Sequence, residues 1–154
     1  MTKKEVLSDF RLAHLSRQIA LLGRKEVLSG KAKFGIFGDG KEVAQIAYAK
    51  NFQKGDWRSG YYRDHTFVMA MGLLSAEQFF YQLYGQTDER LNPGSAGRNF
   101  NNHFASLSLN PDGSWNDFAS MKNSCADLSP TAGQMPRLVG LGYASKLFKE
   151  NKEL

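Results

Sequence analysis

Apolar positions along this chain recur first at helical spacing. Leu12, Leu15, Ile19 and Leu22 stand three and four residues apart, which predicts one long helix with that stripe turned inward. Thr2-Lys3-Lys4-Glu5 has the form of a capping box, and Gly30 supplies a stop just after Ser29. Asp39-Gly40-Lys41-Glu42 reads as a turn and N-cap for a short helix carrying Val43, Ile46, Ala47 and Ala49. Gln53-Lys54-Gly55-Asp56 reads as a turn, Trp57 to Tyr62 as a strand, and Thr66 to Gly72 as a buried helix. Ser75-Ala76-Glu77-Gln78 caps a further helix that carries Phe79, Phe80, Leu83 and Tyr84 to a stop at Gly85.

The pattern then breaks. From Gln86 to Leu128 Asn, Gly, Ser and Asp dominate, and only Phe104 to Leu109 alternates like a strand. So long an irregular stretch inside a domain is uncommon and points to function or to a missing packing partner. Ser129 and Pro130 then predict the N-cap and first position of a last helix running to about Lys149, kinked at Pro136. Its Gly133, Gly140, Gly142 and Ala144 imply close approach by another backbone or a ligand, because glycine costs a helix about 1 kcal/mol relative to alanine. Five helical segments stand against two candidate strands, and two strands seldom make a stable sheet alone. The expectation is a mostly helical α/β fold, one domain over residues 1–154, forming part of a larger α/β unit.

Composition narrows the class. At 154 residues, 42% hydrophobic and 23% charged, the chain is long enough for one core and too short to expect two. No window approaches 18 uncharged apolar residues, so no membrane-spanning helix is expected. The net charge of +5 is scattered rather than striped, which argues against a nucleic-acid partner. Neither a signal core nor a transit-type composition opens the chain. With a single cysteine, Cys125, no internal disulfide is possible, and a reducing cytoplasm is the expected location.

Chemistry concentrates at two places. Gly60-Tyr61-Tyr62-Arg63-Asp64-His65 offers an aromatic hydroxyl, a guanidinium and an imidazole together. A hydroxyl beside the charged fork of Arg63 suits a phosphate; the plainer alternative is Arg63 paired with Asp64 on a surface turn. The helix start at Ser129-Pro130-Thr131 favours a polar or anionic ligand. His65 and His103 are candidate acids or bases, though no catalytic role is assigned to either. No Cys, His or acidic cluster has metal-ligand spacing, so no metal site is expected. Gly38-Asp39-Gly40 looks like the opening of a magnesium–diphosphate motif, which needs an asparagine 25 to 30 residues later. Arg63 to Phe67 occupies that distance and Asn101-Asn102 lies too late, so the segment reads as a turn. Cys125 has no neighbours that mark a nucleophile.

Taken in order, Gly40-Lys41-Glu42, Tyr62-Arg63-Asp64-His65, Gly72, Tyr84-Gly85, Ser129-Pro130-Thr131-Ala132-Gly133-Gln134-Met135-Pro136 and Gly140-Leu141-Gly142-Tyr143-Ala144-Ser145-Lys146 resemble the start of the α subunit, or α region, of thiamine-diphosphate-dependent 2-oxoacid dehydrogenases. These are the decarboxylating components of the pyruvate and branched-chain complexes, and the Ser-Pro pair is closer to the branched-chain members. The resemblance implies a truncated thiamine-diphosphate-binding fold. Tyr62 and Arg63 would bind the cofactor diphosphate, and Ser129 and Thr131 would present backbone groups to the aminopyrimidine. Some members hold potassium near this turn; Gln134 matches, but Leu128 and Gly133 stand where oxygen-bearing side chains are expected, so that ion is not expected. The family's Gly-Asp-Gly and asparagine motif would follow the last helix, beyond Leu154. The chain is therefore expected to be an amino-terminal piece, inactive alone, with thiamine diphosphate and magnesium bound by the full-length parent rather than by this piece. Implied partners are the remainder of the α/β dehydrogenase, a dihydrolipoyl acyltransferase core and further copies of the chain. Other thiamine enzymes, acetoin dehydrogenase or transketolase-like, are the nearest alternative. A non-catalytic helical module binding an acidic partner through the +5 charge is the alternative from another class.

Overall fold

The computed structural model describes residues 1–150. Its elements run α1 (Lys3–Leu28), α2 (Glu42–Ala49), β1 (Trp57–Tyr61), α3 (His65–Ala70), α4 (Ala76–Leu83), β2 (Asn123–Leu128) and α5 (Gln134–Glu150). The mostly helical α/β architecture is the expected one. β1 and β2 form a two-stranded parallel sheet, and α3 and α4 lie between the two strands in sequence.

Capping boxes start two helices where the sequence places them. Thr2 and Glu5 bond reciprocally at α1, and Ser75 and Gln78 do so at α4. Gly85 stops α4 in the left-handed region at φ 67°. The face of α1 differs from the one predicted. Ser16, Ile19, Ala20 and Gly23 are buried, whereas Leu15 and Leu22 are about half exposed. Small residues lie inward because α3 and the Phe37 ring approach closely: Ser16 shares a 2.6 Å hydrogen bond with Thr66, and a Cβ on Gly23 would press into Phe37. Two ion pairs, Arg17–Glu42 at 2.6 Å and Arg24–Asp39 at 2.5 Å, tie α1 to α2 and its lead-in. Asp39 is thus a salt-bridge partner and not the N-cap of α2; Lys41 occupies that position without a side-chain bond.

The main core joins Ile19, Val68, Met69, Leu74, Phe79 and Leu83, and a second cluster holds Ala49, Phe52, Phe67 and Met71. Thr66 to Met69 is buried, as expected for an apolar helix at the centre. The strand expected at Phe104 to Leu109 does not form. Phe104 and Ser106 instead run beside β2 with isolated backbone bonds, and Leu109 makes a single antiparallel bridge to Trp115. The second strand is β2, which lies inside the stretch expected to be irregular. α5 starts at Gln134, four residues after the predicted position, and Pro136 falls in its first turn, where a missing N–H leaves no gap in the helix. Much of its apolar surface is open: Met135, Leu138, Val139, Tyr143 and Phe148 are exposed, and nothing lies near Gly140 or Gly142 among the described residues.

Candidate anion-binding site at the strand ends

Both parallel strands end at the same edge. β1 delivers Tyr61, Tyr62 and Arg63 there, and β2 delivers Ser129 to Thr131. Carboxyl ends of parallel strands are the usual place for ligands in α/β folds. Here the Tyr61 phenol lies 3.2 Å from the Thr131 hydroxyl and donates a very short bond to the Tyr62 phenol. The Arg63 guanidinium sits 5.4 and 5.5 Å from the centres of the two tyrosine rings. The Thr131 hydroxyl, then the Tyr62 phenol and the Arg63 charge, hold the Tyr61 phenol below its ordinary value. Tyr62 is raised, first by sharing that hydrogen bond with the Tyr61 phenol, then by burial.

Arg63 does not pair with Asp64. That carboxylate takes the Tyr61 N–H at 2.9 Å and the Arg58 guanidinium at 3.2 Å. The Arg63 Nε is buried with no hydrogen-bond partner among the described residues, an arrangement that costs free energy unless a ligand supplies an acceptor. Its carbonyl is fixed by Gln45 at 2.8 Å, and a Cβ at Gly38 would overlap that carbonyl. The extended segment containing Gly38 therefore backs directly onto the Tyr62-Arg63 turn.

Ser129 and Thr131 do not cap a helix. They lie in an exposed turn ahead of α5, where Ala132 takes φ 66° and the Gln134 amide donates to the Leu128 carbonyl at 2.7 Å. The Ser129 hydroxyl lies 2.5 Å from His103 Nε2, which brings the loop histidine to the same edge. His65 goes elsewhere: it is 2% exposed, packs on Phe79 at 5.5 Å, and burial lowers its pKa. Tyr61, Tyr62 and Arg63 thus gather at the strand ends, His65 lies in the core, and His103 reaches the facing turn through Ser129. Cys125 is half-buried on β2 and burial pushes its thiol up, which makes it a poor nucleophile. Among the described residues, no three His, Cys, Asp or Glu side chains gather into a metal-ligand group.

Sequence reading missed a buried charge cluster beneath this edge. Arg58, 6% exposed, contacts Asp127 at 2.8 Å, Asp64 at 3.2 Å and the Ser124 hydroxyl at 2.7 Å. Asp127 also accepts the Phe104 N–H at 3.1 Å. Burial pushes the Asp127 carboxyl up to about 7 against the pull of Arg58. No local signal marks this cluster, since Arg58 and Asp127 lie on different strands and meet only through strand pairing. Asn101 is a second omission: its amide bonds both the N–H and C=O of Ile36, at 2.9 and 2.8 Å, and holds the loop to the segment behind Arg63.

Comparison with known proteins adds a family. The model described as Dehydrogenase E1 component matches residues 11–110. The chain is also 28% identical to the 2-oxoisovalerate dehydrogenase subunit alpha of Bacillus subtilis (strain 168), over 98% of this chain and 41% of that protein. It therefore spans about two fifths of the length of that relative.

Proposed function

The chain belongs to the dehydrogenase E1 component family, and on that premise we propose that its strand-end site holds the diphosphate arm of thiamine diphosphate. The enzyme would decarboxylate a 2-oxoacid and pass the acyl group to a lipoyl carrier. One observation carries this reading: Arg63, permanently charged, has a buried Nε with no partner among the described residues, beside the Tyr61 and Tyr62 phenols and the Thr131 hydroxyl. That donor set fits a diphosphate, which offers many acceptors and needs charged forks and hydroxyls around it.

In this reading Arg63 and Tyr62 bind and orient the diphosphate, while Ser129 and Thr131 carry the facing turn toward the aminopyrimidine. Gly38 and Gln45 hold the Arg63 backbone so that its side chain stays aimed at the strand ends. His103, within hydrogen-bond reach of the Ser129 hydroxyl through Nε2, holds that turn from the loop side. When bound, the cofactor supplies the carbanion chemistry that removes carbon dioxide. In this reading magnesium would bind with the diphosphate, and a lipoyl-bearing acyltransferase would accept the acyl group. The exposed apolar face of α5 supports contact with the remainder of the dehydrogenase or with another copy of the chain.

The test is turnover by the dehydrogenase that contains this chain. Carbon dioxide release from pyruvate and from branched 2-oxoacids is followed with an artificial electron acceptor, with and without thiamine diphosphate and magnesium. Cofactor-dependent release from at least one 2-oxoacid is expected. Release that ignores the cofactor, or none from any 2-oxoacid, would overturn the proposal.

A further inference from the structure

The ladder between β1 and β2 changes register in a way that matters at its end. Trp57 pairs with Asn123, Arg58 with Ser124 and Ser59 with Cys125, yet Tyr61 pairs with Leu128. Gly60 alone on β1 therefore faces both Ala126 and Asp127 on β2. This is a bulge, uncommon in a parallel pair, and bulges beside active sites re-aim the residues that follow. Without it Tyr61 would face Asp127, and every later residue of β2 would move by one position and turn to the opposite face. Thr131 would then leave the Tyr61 phenol.

Three residues occupy the bulge. The Arg58 guanidinium and the Asp127 carboxylate meet at 2.8 Å in the space that a Gly60 side chain would fill, since a Cβ there would overlap both groups. Arg58 is held on two further sides by Asp64 and Ser124, and Asp127 takes the Phe104 N–H directly after His103. Asp64 in turn takes the Tyr61 N–H. The cluster thus touches every segment that contributes to the strand-end site: the tyrosine turn, the loop of His103 and the strand that leads to Ser129 and Thr131.

We propose that Arg58, Asp127 and the glycine notch at Gly60 are positioning elements that lock the bulge and so set the Tyr62-Arg63 turn opposite the Ser129–Thr131 turn. The lock is a matter of geometry within this chain, and only its consequence for cofactor binding rests on the function proposed above. A buried ion pair is weak evidence for stability, and fixing a register is a better-attested use for one.

Two variants probe it. Gly60→Ala fills the notch while keeping both charges, and Asp127→Leu removes the pair; Leu74→Ala, a truncation in the main core that leaves Gly60, Arg58 and Asp127 in place, is the control for lost stability. In the 154-residue chain, nuclear Overhauser contacts between the Tyr61 ring and the Thr131 methyl should be present in the wild type and in Leu74→Ala. They should be absent in folded Gly60→Ala and Asp127→Leu. In the dehydrogenase containing the chain, calorimetry should show thiamine diphosphate binding about tenfold weaker in both site variants, as when one charged hydrogen bond is misplaced. Persistence of the Tyr61–Thr131 contacts in either folded variant would overturn the proposal, as would wild-type cofactor affinity despite lost contacts. An Arg63→Ala enzyme that binds cofactor normally would instead sink the functional reading, leaving the contact measurement to decide the register alone.

Discussion

Replacing Asp127 with asparagine should change how stability depends on pH, and the sign is set by burial. The carboxyl titrates at about 7 in the folded chain against an ordinary 3.8, because its burial outweighs the attraction of Arg58. A raised carboxyl binds its proton more tightly when folded, so protonation favours the folded state. Its contribution is complete below about pH 3.8 and is lost as pH rises through about 7. The gap between 3.8 and about 7 corresponds to roughly 4 kcal/mol across the whole range. Between pH 5 and pH 8 the share is about 2.5 kcal/mol, with the greater stability at pH 5. An asparagine side chain cannot titrate, so the difference between wild type and Asp127→Asn isolates this contribution from histidines and other carboxylates common to both. Urea unfolding at pH 5, 6, 7 and 8 is the assay. With a slope of about 2 kcal/mol/M, the wild-type midpoint should rise by roughly 1 M relative to the variant on going from pH 8 to pH 5. Parallel profiles would show that Asp127 stays ionised across the range, so that Arg58 outweighs burial and the reasoning fails.

Other substitutions test the frame around the site. Asn101→Ala removes the partner of the Ile36 N–H and one of two donors to its C=O, and should cost about 1 kcal/mol in chemical unfolding because a partly buried donor is left unmet. Gly38→Ala drives a Cβ into the Arg63 carbonyl and should cost about 1–3 kcal/mol or more, as overpacking does, with the loss read as a lower thermal midpoint. The Glu42 carboxyl is held down at about 2, chiefly by its bond to Arg17, so its stabilisation is present above about pH 4.5 and lost as pH falls toward 2. Glu42→Gln should therefore flatten the acid limb of the wild-type stability profile, and an unchanged limb would exclude that role.

What the sequence disclosed follows from how local each signal is. Capping boxes at Thr2 and Ser75 and the left-handed stop at Gly85 are written within a few residues, and the structure places them as expected. The inward face of α1 was not legible, because Ser16, Ala20 and Gly23 are chosen by close neighbours rather than by hydrophobicity. β2 was hidden for a related reason. Its Asn123, Ser124 and Asp127 are polar yet buried, where Asp56, Phe118, Met121 and Arg58 from other segments contact their side chains. Tyr62 and Arg63 were visible as a phosphate-type pair. The supporting Tyr61–Thr131 bond depends on a bulge that no single-sequence pattern encodes.

If Arg63 and its tyrosine neighbours grip the diphosphate of thiamine diphosphate, cofactor affinity must follow the side chain at position 63. Calorimetric titration of the dehydrogenase containing this chain, with magnesium present, would compare wild type, Arg63→Lys and Arg63→Ala. Loss of a charged hydrogen bond should weaken binding by about 1.5–3 kcal/mol in Arg63→Ala. Arg63→Lys should fall between it and the wild type, because lysine keeps the charge and loses the fork. Wild-type affinity in both variants would contradict the account.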